Sequence, residues 1–72
     1  MDFSVIAYVR DIMLTDPSLD ADFVWSVSRL AEEDNKMYTM MSEYMKVSGS
    51  RYSGEIVEEM RDYMIERGLI NG

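Results

Sequence analysis

The chain contains no cysteine and no histidine. Without cysteine it has no disulfide and no thiolate metal site. Without histidine it lacks the commonest general base and the commonest metal ligand. The usual nucleophile–base pairs of covalent catalysis are therefore out of reach, so a non-enzymatic protein with no metal and no cofactor is expected. No stretch approaches the roughly 18 unbroken apolar residues of a membrane-spanning helix. The start, Met1-Asp2-Phe3-Ser4-Val5, lacks the basic opening of a secretory leader. The expectation is a cytoplasmic protein with no membrane partner, and the missing cysteines fit a reducing compartment.

Positive charge is scarce too. Seven basic residues face fourteen acidic ones, which leaves a net charge of −7 on 72 residues. The length sets a single domain, residues 1–72. A chain this short buries only about 60% of its unfolded surface and usually needs a staple, a metal or a partner. With the first two removed, a partner chain or a homodimer remains. The acidic balance repels phosphate at long range and attracts basic surfaces. The charge is unevenly spread. Residues 1–35 hold eight acids against Arg10 and Arg29, and residues 52–72 hold five against Arg61 and Arg67. Between them Lys36, Lys46 and Arg51 outnumber Glu43, a small basic island at 36–51.

The hydrophobic spacing predicts an all-α domain of three helices, or four if the second breaks. Val5, Ile6, Val9, Ile12 and Met13 fall at helical intervals over residues 3–14, with Asp2 as cap. The rival is a strand, since Phe3–Val9 is rich in β-branched and aromatic residues. Asp16 as N-cap with Pro17 at the first position predicts a second helix over 17–47. Phe23, Val27, Leu30, Met37, Met41 and Tyr44 form its stripe, with Asp34 in a polar slot. Asp34 and Asn35 are poor helix formers, so a break near 32–36 would split it. Here also a strand competes, because Val24–Ser28 alternates with period two. Gly49 is placed to end the helix, and Ser53 to cap a third over 53–67, whose inner face is Ile56, Val57, Met60, Tyr63 and Met64. Arg67 suits its last turn, Gly68 ends it, and Leu69 stands where a Schellman motif makes its apolar contact.

Few residues are placed to do chemistry. Asp20/Asp22 and Glu32-Glu33-Asp34 are the nearest things to an acid–base pair; the first reads better as a solvated helix start and the second as a polar face or loop. Asp16, Asp20 and Asp22 lack the glycine and final glutamate of an EF-hand loop. The eight methionines say more. Met37, Met40, Met41 and Met45 cluster on the second helix, and Met60 and Met64 on the third. A core between the two helices accounts for most of them. Met40 lies off the stripe beside Tyr44, which predicts an exposed contact surface there. Trp25 and Tyr52 are further candidate anchors, since aromatic residues dominate binding hot spots.

The run Gly49-Ser50-Arg51-Tyr52-Ser53-Gly54-Glu55-Ile56-Val57-Glu58-Glu59-Met60-Arg61-Asp62-Tyr63-Met64 resembles the second half of ribbon-helix-helix repressors of the Arc/CopG type. The shared features are a glycine turn, the cap Ser53, Ile56 three residues on, and the close Met60-x-x-Tyr63-Met64. The resemblance covers about residues 24–68. It implies a short strand at 24–28 that pairs in a dimer and enters the major groove, with Ser26 and Ser28 facing bases and the amides near Ser53 meeting a phosphate. The strand segment carries no basic residue before Arg29, and the net charge opposes the phosphate attraction on which DNA affinity rests.

The expectation that follows from the charge is a protein that binds and regulates, or inhibits, a protein partner with a basic surface. Its concrete form is a phage- or mobile-element-type inhibitor whose carboxylates imitate a nucleic-acid backbone. Glu32, Glu33, Asp34, Glu55, Glu58, Glu59 and Asp62 would supply the charge, with Trp25, Met40, Tyr44 and Tyr52 as apolar anchors. The alternative is the ribbon-helix-helix DNA-binding repressor, the one reading that gives the chain a nucleic-acid partner.

Overall fold

Four helices make up the fold in a computed structural model that describes residues 2–71. They are α1 (Phe3–Leu14), α2 (Ala21–Ala31), α3 (Asn35–Val47) and α4 (Tyr52–Glu66). Met1 and Gly72, the two ends of the expected domain, lie outside the described residues. The all-α expectation holds, with four helices rather than three. No strand occurs among the described residues: Phe3–Val9 belongs to α1, and Val24–Ser28 lies wholly inside α2. Val24 and Val27 need burial more than alternation, and both are fully buried. Ser28, buried beside them, donates its hydroxyl to the Val24 carbonyl at 2.8 Å, so the polar group costs little.

The helix boundaries follow from local hydrogen bonding. Asp2 caps α1 by accepting from the Ser4 amide at 2.9 Å. The expected start of the second helix at Asp16-Pro17 is instead a β-turn. The Leu19 amide donates to the Asp16 carbonyl, and the Asp16 side chain accepts from the Ser18 amide. Asp at the first position and Pro at the second suit a type I turn as well as they suit a helix start. Asp20 becomes the N-cap and delays α2 to Ala21. The break near 32–36 is present. The Glu32 and Glu33 amides tighten the end of α2 onto the Arg29 and Leu30 carbonyls, and Asp34 caps α3 by accepting from the Met37 amide at 3.0 Å.

Gly49 follows α3 at φ 83°, a left-handed conformation that a side chain would strain. The cap of α4 is not Ser53, which lies in its first turn. Ser50 takes that work, accepting from the Tyr52 amide through its hydroxyl and from the Ser53 hydroxyl through its carbonyl. At the far end the Gly68 amide reaches the Ile65 carbonyl and the Leu69 amide the Met64 carbonyl. That pair of bonds is the Schellman motif the sequence predicts.

α3 is the central helix and packs against α1, α2 and α4. The core consists of Ile6, Val9 and Met13 of α1, Phe23, Val24, Val27 and Ala31 of α2, Met37, Met40, Met41 and Tyr44 of α3, and Val57, Met60 and Met64 of α4. Six of its fourteen residues are methionine. Their unbranched side chains fill the irregular space where four short helices meet.

Candidate functional site

Two aspartates in the interhelical turns tie the bundle together. Asp16 accepts from the Tyr44 hydroxyl at 3.5 Å, the long end of the hydrogen-bond range. Burial, then the Asp16 charge, pushes the Tyr44 phenol above its usual value. Asp34 makes the stronger link. Its Oδ2 accepts from the Tyr63 hydroxyl at 2.6 Å and from the Arg67 guanidinium. The Tyr63 bond, followed by the Met37 amide and the Arg67 charge, holds the Asp34 carboxyl below its ordinary value of 3.8. Asp34 is thus a structural clasp between α3 and α4, and its charge is partly spent.

Five of the seven positive charges are engaged in another way. The Arg10 guanidinium lies 4.5 Å from the centre of the Trp25 ring, Arg61 4.6 Å from Phe23, and Arg51 4.9 Å from Tyr52. Lys36 and Arg67 both face the Tyr63 ring, at 4.8 and 5.6 Å. Each pairing draws a cation to the negative face of an aromatic ring. Among the described residues only Arg10–Asp11 and Arg67–Asp34 are ion pairs. Most of the carboxylates therefore stand without a counter-charge.

The free carboxylates concentrate on α4. Tyr52, Glu55, Glu59, Asp62 and Glu66 recur at intervals of three and four, so they share one stripe, and Glu58 flanks it. All six are exposed. The stripe spans about 20 Å of helix at 1.5 Å per residue. Each like-charged pair three or four residues apart costs a few tenths of a kcal/mol, and among the described residues none of these carboxylates forms an ion pair. Beside the stripe runs a groove of about 520 Å³ between α3 and α4. Met40 and Tyr63 contribute to its floor, and Glu43, Glu59, Asp62 and Glu66 stand round it, with Lys36 at its edge.

The structure thus brings Tyr52, Glu55, Glu58, Glu59 and Asp62 together on one face. Glu32 and Glu33 are exposed in the α2–α3 turn, apart from that stripe. Trp25 lies on α2, 41% exposed beneath Arg10. Met40 and Tyr44 correct the sequence reading: both are core residues, 5% and 2% exposed. α4 packs along the side of α3 on which Met40 lies, so a position off one stripe is buried by a second neighbour. The basic island does not form a patch. Lys36 and Lys46 are separated by about 15 Å of α3, and Arg51 lies beyond the next turn. Ser28 is buried, and the Ser53 amide donates to the Ser50 carbonyl, so neither is free to meet a ligand in this fold.

Glu66 and Glu43 join the acidic face without having been singled out in the sequence. Glu66 had a signal, since it falls seven residues after Glu59 and in phase with it. Glu43 had none, because its place depends on how α3 packs on α4. Among the described residues no three acidic side chains converge closely enough to hold a metal ion, and no helix is long and apolar enough to cross a membrane. The face is a spread of charge, suited to a distributed cationic surface rather than to one ion. Comparison with protein-family models, curated proteins and solved structures finds no match.

Proposed function

We propose that the chain is a non-enzymatic binding protein whose α4 face engages the basic surface of a protein partner and regulates or inhibits it. The observation that carries this reading is the unrelieved stripe Glu55–Glu59–Asp62–Glu66. It holds like charges at helical spacing while the nearby arginines sit on aromatic rings. A stripe that costs stability in the free protein is compensated when a basic surface covers it. Tyr52 at its head and the half-buried Tyr63 in the groove beside it offer apolar contact for the stems of lysine and arginine side chains. A row of carboxylates on a rod presents charge much as a nucleic-acid backbone does. The fitting partner is therefore a protein whose own ligand is DNA or RNA, as an inhibitor from a phage or mobile element would need.

The test is capture on the immobilised chain, run beside a variant carrying Glu55→Gln, Glu59→Gln, Asp62→Asn and Glu66→Gln. The wild-type chain should retain basic nucleic-acid-binding proteins at roughly 0.05 M salt and release them by roughly 0.5 M. The variant should retain none of them. Equal retention by both would sink the reading. So would a shift of duplex DNA by the chain itself in size-exclusion with light scattering, which would favour the ribbon-helix-helix repressor.

A further inference from the structure

α3 and α4 run side by side in opposite directions. Asp34 at the start of α3 reaches Tyr63 and Arg67 at the end of α4, and Lys36 lies 4.8 Å from the centre of the Tyr63 ring. The groove of about 520 Å³ lies between the two helices. α3 contributes Glu43 and Lys36 to it, and α4 contributes Glu59, Asp62 and Glu66. Carboxylates from both helices therefore border it, four against one ammonium. None of the four forms an ion pair among the described residues. A cation is already seated at one end, where Lys36 meets the Tyr63 ring. The 2.6 Å bond from the Tyr63 hydroxyl to Asp34 fixes that ring, so the platform stands in place before a ligand arrives.

The spacing of the acids says what shape of cation fits. They do not converge closely enough to hold one metal ion, so the groove calls for several charges in order. Glu59, Asp62 and Glu66 fall at i, i+3 and i+7 on α4, about 4.5 and 6 Å apart along its axis. An extended chain sets like-facing side chains about 6.7 Å apart, which overshoots the three acids by about 3 Å in all. A second helix repeats the rises of α4 itself. Basic side chains at i, i+3 and i+7 on a parallel helix, or at i, i+4 and i+7 on an antiparallel one, meet the three acids in turn. Glu43 borders the same track from the α3 side, and Lys36 is the one charge in the groove that opposes an incoming cation.

We propose that the α3–α4 groove receives a helix of the protein partner, laid along α4 with its lysine or arginine residues on one face at intervals of three and four. This rests on the reading of α4 as the partner face and adds the element that the partner presents. Charge complementarity selects the occupant. A nucleic acid, or the α4 of a second copy, would bring negative charge against these carboxylates and be repelled. A basic helix instead lays one face in the groove, with side-chain stems on Tyr63 and charged heads at the rim. Lys36 holds the Tyr63 ring until a partner cation replaces it, so it acts as an internal competitor for the site.

The probes are two alanine-based peptides of about 15 residues with the same lysine content, added to the full chain at roughly 0.05 M salt and followed by NMR of its backbone amides. One carries its lysines on a single face at i, i+3, i+4 and i+7, and the other has them scattered round the helix. The single-face peptide should bind at least about tenfold more tightly and shift the amides of Thr39, Met40 and Glu43 in the groove. Glu43→Gln should weaken it more than Glu32→Gln, an equal change of charge in the α2–α3 turn. Lys36→Ala should tighten it more than Lys46→Ala, an equal change about 15 Å along α3. All four positions are exposed, and circular dichroism checks that each variant keeps its helices. Equal binding of the two peptides, or equal effects within either pair of substitutions, overturns the proposal. If basic proteins are still captured through the α4 stripe, the partner reading survives that result, whereas loss of that capture sinks both.

Discussion

Asp34 divides its two oxygens between two elements, Oδ1 capping α3 and Oδ2 clasping Tyr63 and Arg67 of the α4 end. Asp34→Ala removes the cap and leaves the Tyr63 hydroxyl without its partner, so a loss of about 1–3 kcal/mol is expected in urea denaturation. Asp34→Asn keeps a capping oxygen and should cost less than Ala. The pH dependence has a definite sign. Asp2, Asp16 and Asp34 are all held below the ordinary 3.8, by Ser4, by Ser18 and by Tyr63 respectively. A carboxyl depressed in the fold stabilises it above the unfolded pKa, and that contribution disappears as pH falls through the folded value. Helicity should therefore hold down to about pH 4 and weaken below it, with a shallower slope in the Asn variant. Met60, fully buried, is the core counterpart: Met60→Ala should cost about 2–5 kcal/mol, a large share of a small domain's stability. At this scale the sequence was partly legible. Met60 and Met64 stand in phase on a well-marked helix and were expected inside. Met40 was misplaced because a single stripe does not show that α3 has neighbours on several sides.

On α4 the sequence is most legible and its energetics least comfortable. Its Schellman ending follows from Gly68 and Leu69, which act within one turn of chain, whereas its start was misread at Ser53. The start of α2 was harder, because Asp-Pro signals a helix cap and a turn equally well. Only the later aspartate, Asp20, decides between them. A helix with five acids on one face is also more stable when one is neutralised. Glu59 has like-charged neighbours at Glu55 and Asp62, so Glu59→Gln should raise stability by a few tenths of a kcal/mol in urea denaturation. The same change should weaken capture of a basic partner. A substitution that stabilises the fold and impairs binding marks a residue kept for its charge. If Glu59→Gln destabilised the helix, the stripe would have to be making contacts that offset its repulsion.

For the whole molecule, net charge and the fate of the cations set the response to salt. In a protein stabilised by many ion pairs, salt screens attraction and lowers stability. Here only two pairs form among the described residues, and three further cations, Lys36, Arg51 and Arg61, rest on aromatic rings. What salt chiefly screens is the self-repulsion of −7 charges on a body whose longest dimension is 28 Å. The sequence showed the amount of charge, but not that the arginines would leave the carboxylates free, because that depends on which rings they reach. The expected outcome is a melting temperature that rises by several degrees between roughly 0.02 and 0.5 M sodium chloride. For a domain of this size that shift corresponds to about 1 kcal/mol. A fall in melting temperature would mean that the carboxylates are paired after all, and the acidic face would then have little charge left to offer a partner.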